Sequence, residues 1–341
     1  MLTQRQAGAE AAMWDFSIGR TLSVLALTWP FILLRLVVYF AITAAYVIAT
    51  GVGAGVGYGI GHIWSDPDTP YAFATGGGFV GIALVAVAVY WMREYILYMV
   101  KAAHIAAMVH LVDGQAIPGG QGQVAYGRQV VTARFAEANV LFVLDQLVKG
   151  VIRVITGLLG GVAAFLPIPG LQGLVRFLNT IVRLSLTYVD EVVLAYDIRV
   201  QSTEPFETAR RAVVLYAQNA AVMVKNAVWL AIMLWVLTAV IFLVMLAPAG
   251  AILYMMPGQL AGWSFVLAIV FAWALKAALL DPFAVCALMQ VYFRTIEGQE
   301  PDPEWDSRLA TASRHFRELA GKAIDAVTPP GRRGAGSAAP A

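Results

Sequence analysis

Charge is scarce in this chain of 341 residues: 13% are Asp, Glu, Lys or Arg, where a soluble domain carries about 25%. So few charges cannot furnish a water-facing surface, which excludes an ordinary soluble enzyme or binding module. Cysteine is nearly absent as well. The lone Cys286 sits in an apolar segment, so an internal disulfide and the zinc spacings are ruled out, and it reads as a small buried hydrophobe. The four histidines offer no ligand set: His104 and His110 are six apart, off one helix face, and His62 and His315 are isolated. Phosphate loops, dinucleotide fingerprints, HExxH, nucleophile elbows and Asp/His clusters are missing too. The chain is therefore not expected to be an enzyme, and no catalytic residue, metal or cofactor is expected. Its basic residues are dispersed, which argues against nucleic acid as a partner. The N-terminal stretch lacks the basic start, short apolar core and small-residue cleavage site of a signal peptide, so the first hydrophobic block is expected to act as an uncleaved insertion signal.

What the chain has in abundance is apolar residues, 60% of the total, with a mean hydropathy of +0.73. They arrive in runs long enough to cross about 30 Å of hydrocarbon. Six spans are expected, at 29–50, 78–100, 138–165, 172–196, 221–248 and 261–282. The third and fourth carry several charges. Net charge is only +2, but its placement is informative. Segments 51–77, 166–171 and 249–260 hold no Lys or Arg, whereas the other connections and both termini hold most of the arginines. The positive-inside rule then puts both termini in the cytoplasm and points three hairpins outward. The expected fold is all-α: a polytopic helical bundle in the bilayer of a bacterial inner (plasma) membrane. Its parts are a cytoplasmic N-terminus over 1–28, a membrane domain over 29–327 and a disordered Pro/Gly/Ala/Ser-rich tail over 328–341.

The cytoplasmic pieces resemble one another. Gly19-Arg20, Gly127-Arg128, Ala209-Arg210-Arg211 and Ser307-Arg308 each open an amphipathic stretch, and the first three run straight into an apolar span. Asp113-Gly114-Gln115 and Glu297-Gly298-Gln299 echo each other after spans two and six. Amphipathic helices are expected at about 125–137, 205–220 and 303–325, lying at the interface with arginines toward head groups. Pro205 and Pro303 suit the first turns of two of them. Such elbows between hairpins point to an internal repeat.

The strongest candidate for function is a charged stripe in spans three and four. Asp145, Lys149 and Arg153 recur every fourth residue. Arg176, Arg183, Asp190 and Asp197 recur every seventh, with Glu191 alongside. A tight hairpin at Pro167-Ile168-Pro169 brings Lys149 level with residue 187 or so, within reach of Asp190 or Glu191. Each intramembrane charge costs about 2.5–3.5 kcal/mol, so these groups should face protein, water or one another. One reading is a substrate path, with Arg153 and Arg183 as cations and Asp145, Asp190 and Glu191 tuning them. Two plainer readings stand beside it: segment 138–153 lying flat at the interface, or a structural seam of ion pairs.

The glycine ladder 51–61 contains Val56-Gly57-Tyr58-Gly59, the text of a potassium-channel filter, without the filter's threonine or pore helix. As a helix it makes two small-residue faces, Gly51/Gly55/Gly59 and Gly53/Gly57/Gly61, both suited to close helix packing, and an irregular extension of span one is the other reading. Trp64, Trp91, Trp263 and Tyr254 fit interfacial belts. Asp281-Pro282 near Lys276 reads as a kink or as the end of a span.

ARFAEANVLFVLDQLVKGVIRVITGLLGG (133–161) followed by TYVDEVVLAYD (187–197) resembles the C-terminal core of choline transporter-like proteins: an asparagine, an apolar run, an aspartate and a lysine, then a span with a Val-Asp pair. The similarity covers about a fifth of the chain, which lacks that family's large extracellular insertion and full number of spans. What the resemblance implies is transport of a small solute or lipid. The leading expectation is therefore a small-solute or lipid-related transporter whose path lies between spans three and four. The alternative is a non-catalytic membrane organiser, docking a protein partner or a second copy through its glycine faces and amphipathic helices.

Overall fold

The computed structural model describes residues 13–64, 66–92, 97–117, 122–134, 143–154, 188–201, 203–254 and 263–327. Among them every regular element is helical. In chain order these are α1 (Ile18–Leu27), α2 (Trp29–Gly61), α3 (Thr69–Met92), α4 (Tyr98–Val112), α5 (Gln123–Arg134), α6 (143–154), α7 (Val189–Val200), α8 (Pro205–Gln218), α9 (Ala220–Tyr254) and α10 (Trp263–Leu275). A π-helical turn, Lys276–Leu280, joins α10 to α11 (Asp281–Thr295), and α12 (Pro303–Ala312) and α13 (Arg314–Val327) follow. The tail 328–341 lies outside the described residues.

Four helical segments are long and apolar enough to cross a membrane: Trp29–Gly61, Thr69–Tyr90, Ala220–Ala251 and Ala268–Thr295. Their outward faces decide the solvent. In Thr69–Tyr90 only 11% of the most apolar window is buried within the chain, and Leu33, Val37, Ile48, Leu84, Leu243 and Val244 all point outward. Water would not tolerate so large an apolar surface; hydrocarbon does. The chain is an integral membrane protein. Four of the six expected spans have a counterpart here, and most of the third and fourth (138–142, 155–187) falls outside the described residues.

The expected boundaries shift where helices run on. The tip between spans one and two was expected over 51–77, but α2 continues through the whole glycine ladder to Gly61 and α3 begins at Thr69. The reason is packing. A methyl group on Gly53 would overlap the Gly77 carbonyl, one on Gly57 the Phe73 carbonyl, and one on Gly61 the Pro70 backbone. Gly77 and Gly81 answer from α3 against Gly53 and Ala49. Such close approach of two backbones is what small-residue ladders permit. The close face is thus 53/57/61. Gly51, Gly55 and Gly59, the other face expected to suit helix packing, have nothing among the described residues within 4 Å of where a Cβ would stand. The expected 303–325 helix is likewise two, broken at Ser313.

The chain divides into two compact units. Unit 2 comprises Thr28–Lys101 and Trp235–Pro282, unit 1 the described parts of Met1–Leu27, Ala102–Leu234 and Phe283–Ala341. Unit 2 is the α2–α3 hairpin with α9 from Trp235 onward, α10 and the π-turn. Its small core joins Tyr39, Ile42, Leu97, Ala274, Ala277 and Ala278, and Tyr39 meets Trp273 edge-on at 5.5 Å. In the π-turn the Asp281 amide donates to the Lys276 carbonyl, five residues back, just before Pro282, which has no N–H to offer the ladder. The extra residue per turn also brings Lys276 Nζ to 2.8 Å from Asp281 Oδ1.

Unit 1 is built around α8, in which Thr208, Ala209 and every residue from Ala212 to Ala217 are buried. The Tyr292 hydroxyl of α11 donates to the Ala212 carbonyl at 2.8 Å, and Tyr196 and Tyr216 pack on the Tyr292 ring. Arg210 grips both oxygens of Asp306 at 3.0 and 2.9 Å, and Gln218 and Asn219 bond to Gln299. The chain's N-terminal part is clasped to α9. The Asp15 amide donates to Asn226 Oδ1, and the Asp15 carboxylate accepts from Asn226 Nδ2 at 2.7 Å and pairs with Lys225 at 2.8 Å. Burial pushes the Asp15 carboxyl up, but the bonds from Lys225 and Asn226 and the charges of Lys225 and Arg294 outweigh it and hold it below its ordinary value.

Two elbows share one backbone geometry. Thr28, between α1 and α2, has φ −98° and ψ 24°, and the cap after α8, Asn219, has φ −105° and ψ 18°. Each carbonyl accepts from the amides three and four residues on: Phe31 and Ile32 in one elbow, Val222 and Met223 in the other. An arginine stands eight residues before each elbow, Arg20 and Arg211, and a buried polar side chain seven after, Arg35 and Asn226.

Candidate functional site

The charged stripe is assembled by two helices of unit 1. In α6 the 3.6-residue period sets Asp145 and Lys149 on one face, and Lys149 Nζ donates to Asp145 Oδ2 at 2.6 Å. Asp190 sits in the first turn of α7 with its Oδ2 3.5 Å from the same ammonium. Glu191 follows, buried, and its charge also acts on Lys149. An acidic first turn suits a helix N-terminus, whose exposed amides favour negative charge. Asp145 has a 4% exposed side chain, and its second oxygen, Oδ1, is buried and accepts no hydrogen bond among the described residues. The Lys149 side chain is 41% exposed. Two carboxylates from different helices thus hold one ammonium, with a third, Glu191, beside them.

Of the residues expected to form a path, the structure brings together Asp145, Lys149, Asp190 and Glu191. Arg153, one turn beyond Lys149, is exposed. Arg183 lies outside the described residues. The cluster is accordingly rich in acid where the sequence pattern stressed two arginines as its cations. Gly150, next to Lys149, lies so close to the imidazole of His315 on α13 that a methyl group there would overlap the ring. The C-terminal helix therefore braces the lysine's own turn.

No family model, no curated protein and no solved structure matches this chain. Its chemistry is read from its own geometry. A buried acid cluster with one half-exposed lysine can exchange partners: a ligand carrying positive charge competes with Lys149 for Asp145 and Asp190, and one carrying negative charge competes with the acids for Lys149. The four histidines and Cys286 form no metal set among the described residues.

Sequence reasoning passed over two polar constellations. One is the Asp15–Lys225–Asn226 clasp, whose partners lie more than two hundred residues apart and leave no local pattern. The other is Arg199 with Asp113 and Phe293. Its only trace in the sequence is the repeated Gly-Gln turn beside Asp113 and beside the end of Phe293's helix.

Proposed function

We propose that this protein carries a small solute or lipid-related molecule across the membrane, along a polar path to which the Asp145–Lys149–Asp190–Glu191 cluster belongs. The observation that carries the reading is the bridging ammonium: Lys149 spans two acids from different helices, while Asp145 Oδ1 is buried and accepts no bond among the described residues. A seam evolved only for stability would satisfy both oxygens. The likeness of 133–197 to choline transporter-like proteins points the same way. In this reading six spans form three outward hairpins with both termini in the cytoplasm. The matched elbows at Thr28 and Asn219 support descent of the first and last hairpins from one duplicated unit.

The test starts with a thermal-shift screen of the detergent-purified protein against choline-like, amino-acid, anionic and lipid head-group compounds. Flux of a stabilising compound is then followed in reconstituted vesicles. Lys149→Met should cut that flux about tenfold or more while the protein still folds, because it leaves the acids without the group they exchange. Undiminished flux refutes the path.

A second reading, an assembly partner in the membrane, is favoured by one observation. The Gly51/Gly55/Gly59 face meets nothing among the described residues, while its twin is filled by α3. It calls for a co-purifying protein and no stabilisation by any compound in the screen.

A further inference from the structure

We propose that Arg199 and Asp113, seated on Phe293, form a latch that ties three helix ends of unit 1 together and closes its polar interior to water. Among the described residues three have φ in the left-handed region: Gly114, Gln201 and Gly298. Each stands just beyond the end of a helix, α4, α7 and α11 respectively. Left-handed residues stop helices sharply, and Gln201 adopts this conformation although it has a Cβ. The three exits meet at one cation. Arg199, in the last turn of α7, donates through Nε to Asp113 Oδ2 at 3.0 Å and lies 2.9 Å from Oδ1 through its second nitrogen. Asp113 precedes Gly114 at the end of α4. The guanidinium carbon lies 4.4 Å from the centre of the Phe293 ring on α11. A two-point grip on a carboxylate with a stacked ring below fixes orientation as well as distance, which a lone surface ion pair does not.

Behind this node the interior is polar. Gln290, one turn before Phe293, donates to the Thr21 hydroxyl at 2.8 Å and touches the Cys286 carbonyl and sulfur. Thr21 and Cys286 are fully buried. Cys286 is two helical turns from Phe293 on the same face, about 10 Å along α11. In the latch proposal water reaches Cys286 when the three ends part at Phe293. The latch gains its purpose from the transport reading, since a carrier must open and shut one side of its path, but its test needs no substrate.

Cys286 is the chain's one cysteine, so it reports opening without engineering. The rate of its modification by a polyethylene-glycol maleimide is measured on the full-length protein in detergent, with Cys286→Ala as the blank. Arg199→Met and Asp113→Asn should each raise the rate about two- to fivefold, the shift expected when a solvent-exposed two-point pair is lost. Arg199→Lys, which keeps the charge at its own place beside Asp113 but not the two-point grip, should raise the rate by less than Arg199→Met at an unchanged melting temperature. Unchanged rates in Arg199→Met and Asp113→Asn overturn the latch. So does Arg199→Lys labelling as fast as Arg199→Met, which would show general loosening. Loss of the Lys149→Met flux effect strikes the transport reading and leaves these rates as they are, so the two failures are told apart.

Discussion

Helix α2 carries its own control experiment. Gly55→Ala and Gly57→Ala make the same chemical change two residues apart on one helix, yet only one methyl group meets the neighbouring backbone. At Gly57 it would overlap the Phe73 carbonyl, and a main-chain oxygen held in its own helix cannot swing aside. At Gly55 it enters open space. Replacing a helical glycine by alanine gains about 1 kcal/mol at either position through backbone entropy. Forcing a methyl group into a closed contact costs about 1–3 kcal/mol. The entropic gain is common to both variants and cancels in their difference, leaving the steric part. Gly57→Ala should therefore be less stable than Gly55→Ala by about 1–3 kcal/mol, or roughly 2–12 °C in melting temperature for a chain of this size. The assay is thermal unfolding in detergent followed by tryptophan emission, and Trp64, stacked on Phe73 at 5.0 Å, reports from the hairpin tip itself. Equal shifts, or a larger loss for Gly55→Ala, would refute the assignment of the packed face.

Two further outcomes follow from unit 1. Because Asp15 is held below its ordinary value, its bonds to Lys225 and Asn226 add stability that is complete above the unfolded carboxylate range, about pH 4, and is lost as pH falls through the lowered folded value. Asp15→Asn should then be less stable than the native chain at pH 6, with the gap closing toward pH 3 in parallel melts. Tyr292→Phe removes the hydroxyl that satisfies the Ala212 carbonyl in a dry setting, and should lower unfolding stability by about 1 kcal/mol in denaturant titrations without changing secondary structure by circular dichroism.

How legible these features were follows from the distance over which each is encoded. The salt bridge from Asp145 to Lys149 is an i, i+4 pair and shows in the text of the chain. Its extension to Asp190 required guessing that two helices run side by side. The glycine ladder announced close packing, but not which of its two faces would be used, because that depends on Gly77 and Gly81 and on the turn at 62–68 that sets their register. The run-on of α2 to Gly61 was hidden for a related reason. A glycine-rich segment has poor helix propensity alone, and only the facing helix makes it worthwhile. The arginine-led elbows were visible as repeated words, whereas the shared bend at Thr28 and Asn219 is a matter of dihedral angles. Contacts such as Asp15 with Asn226 join positions far apart with no periodic signature, and only the folded chain reveals them.

The lengths of α2 and α9 have a consequence for the lipid around them. At 33 and 35 residues they extend about 50 Å each, well beyond the 30 Å or so of a hydrocarbon core. Even at a tilt of about 40°, the upper end of what spans adopt, such a rod still rises close to 40 Å. Both helices are apolar along nearly their whole length, so the surplus is greasy and must be met by tilt, by a kink such as Pro248 invites in α9, or by local thickening of the bilayer. This protein should sit most easily in a thick membrane.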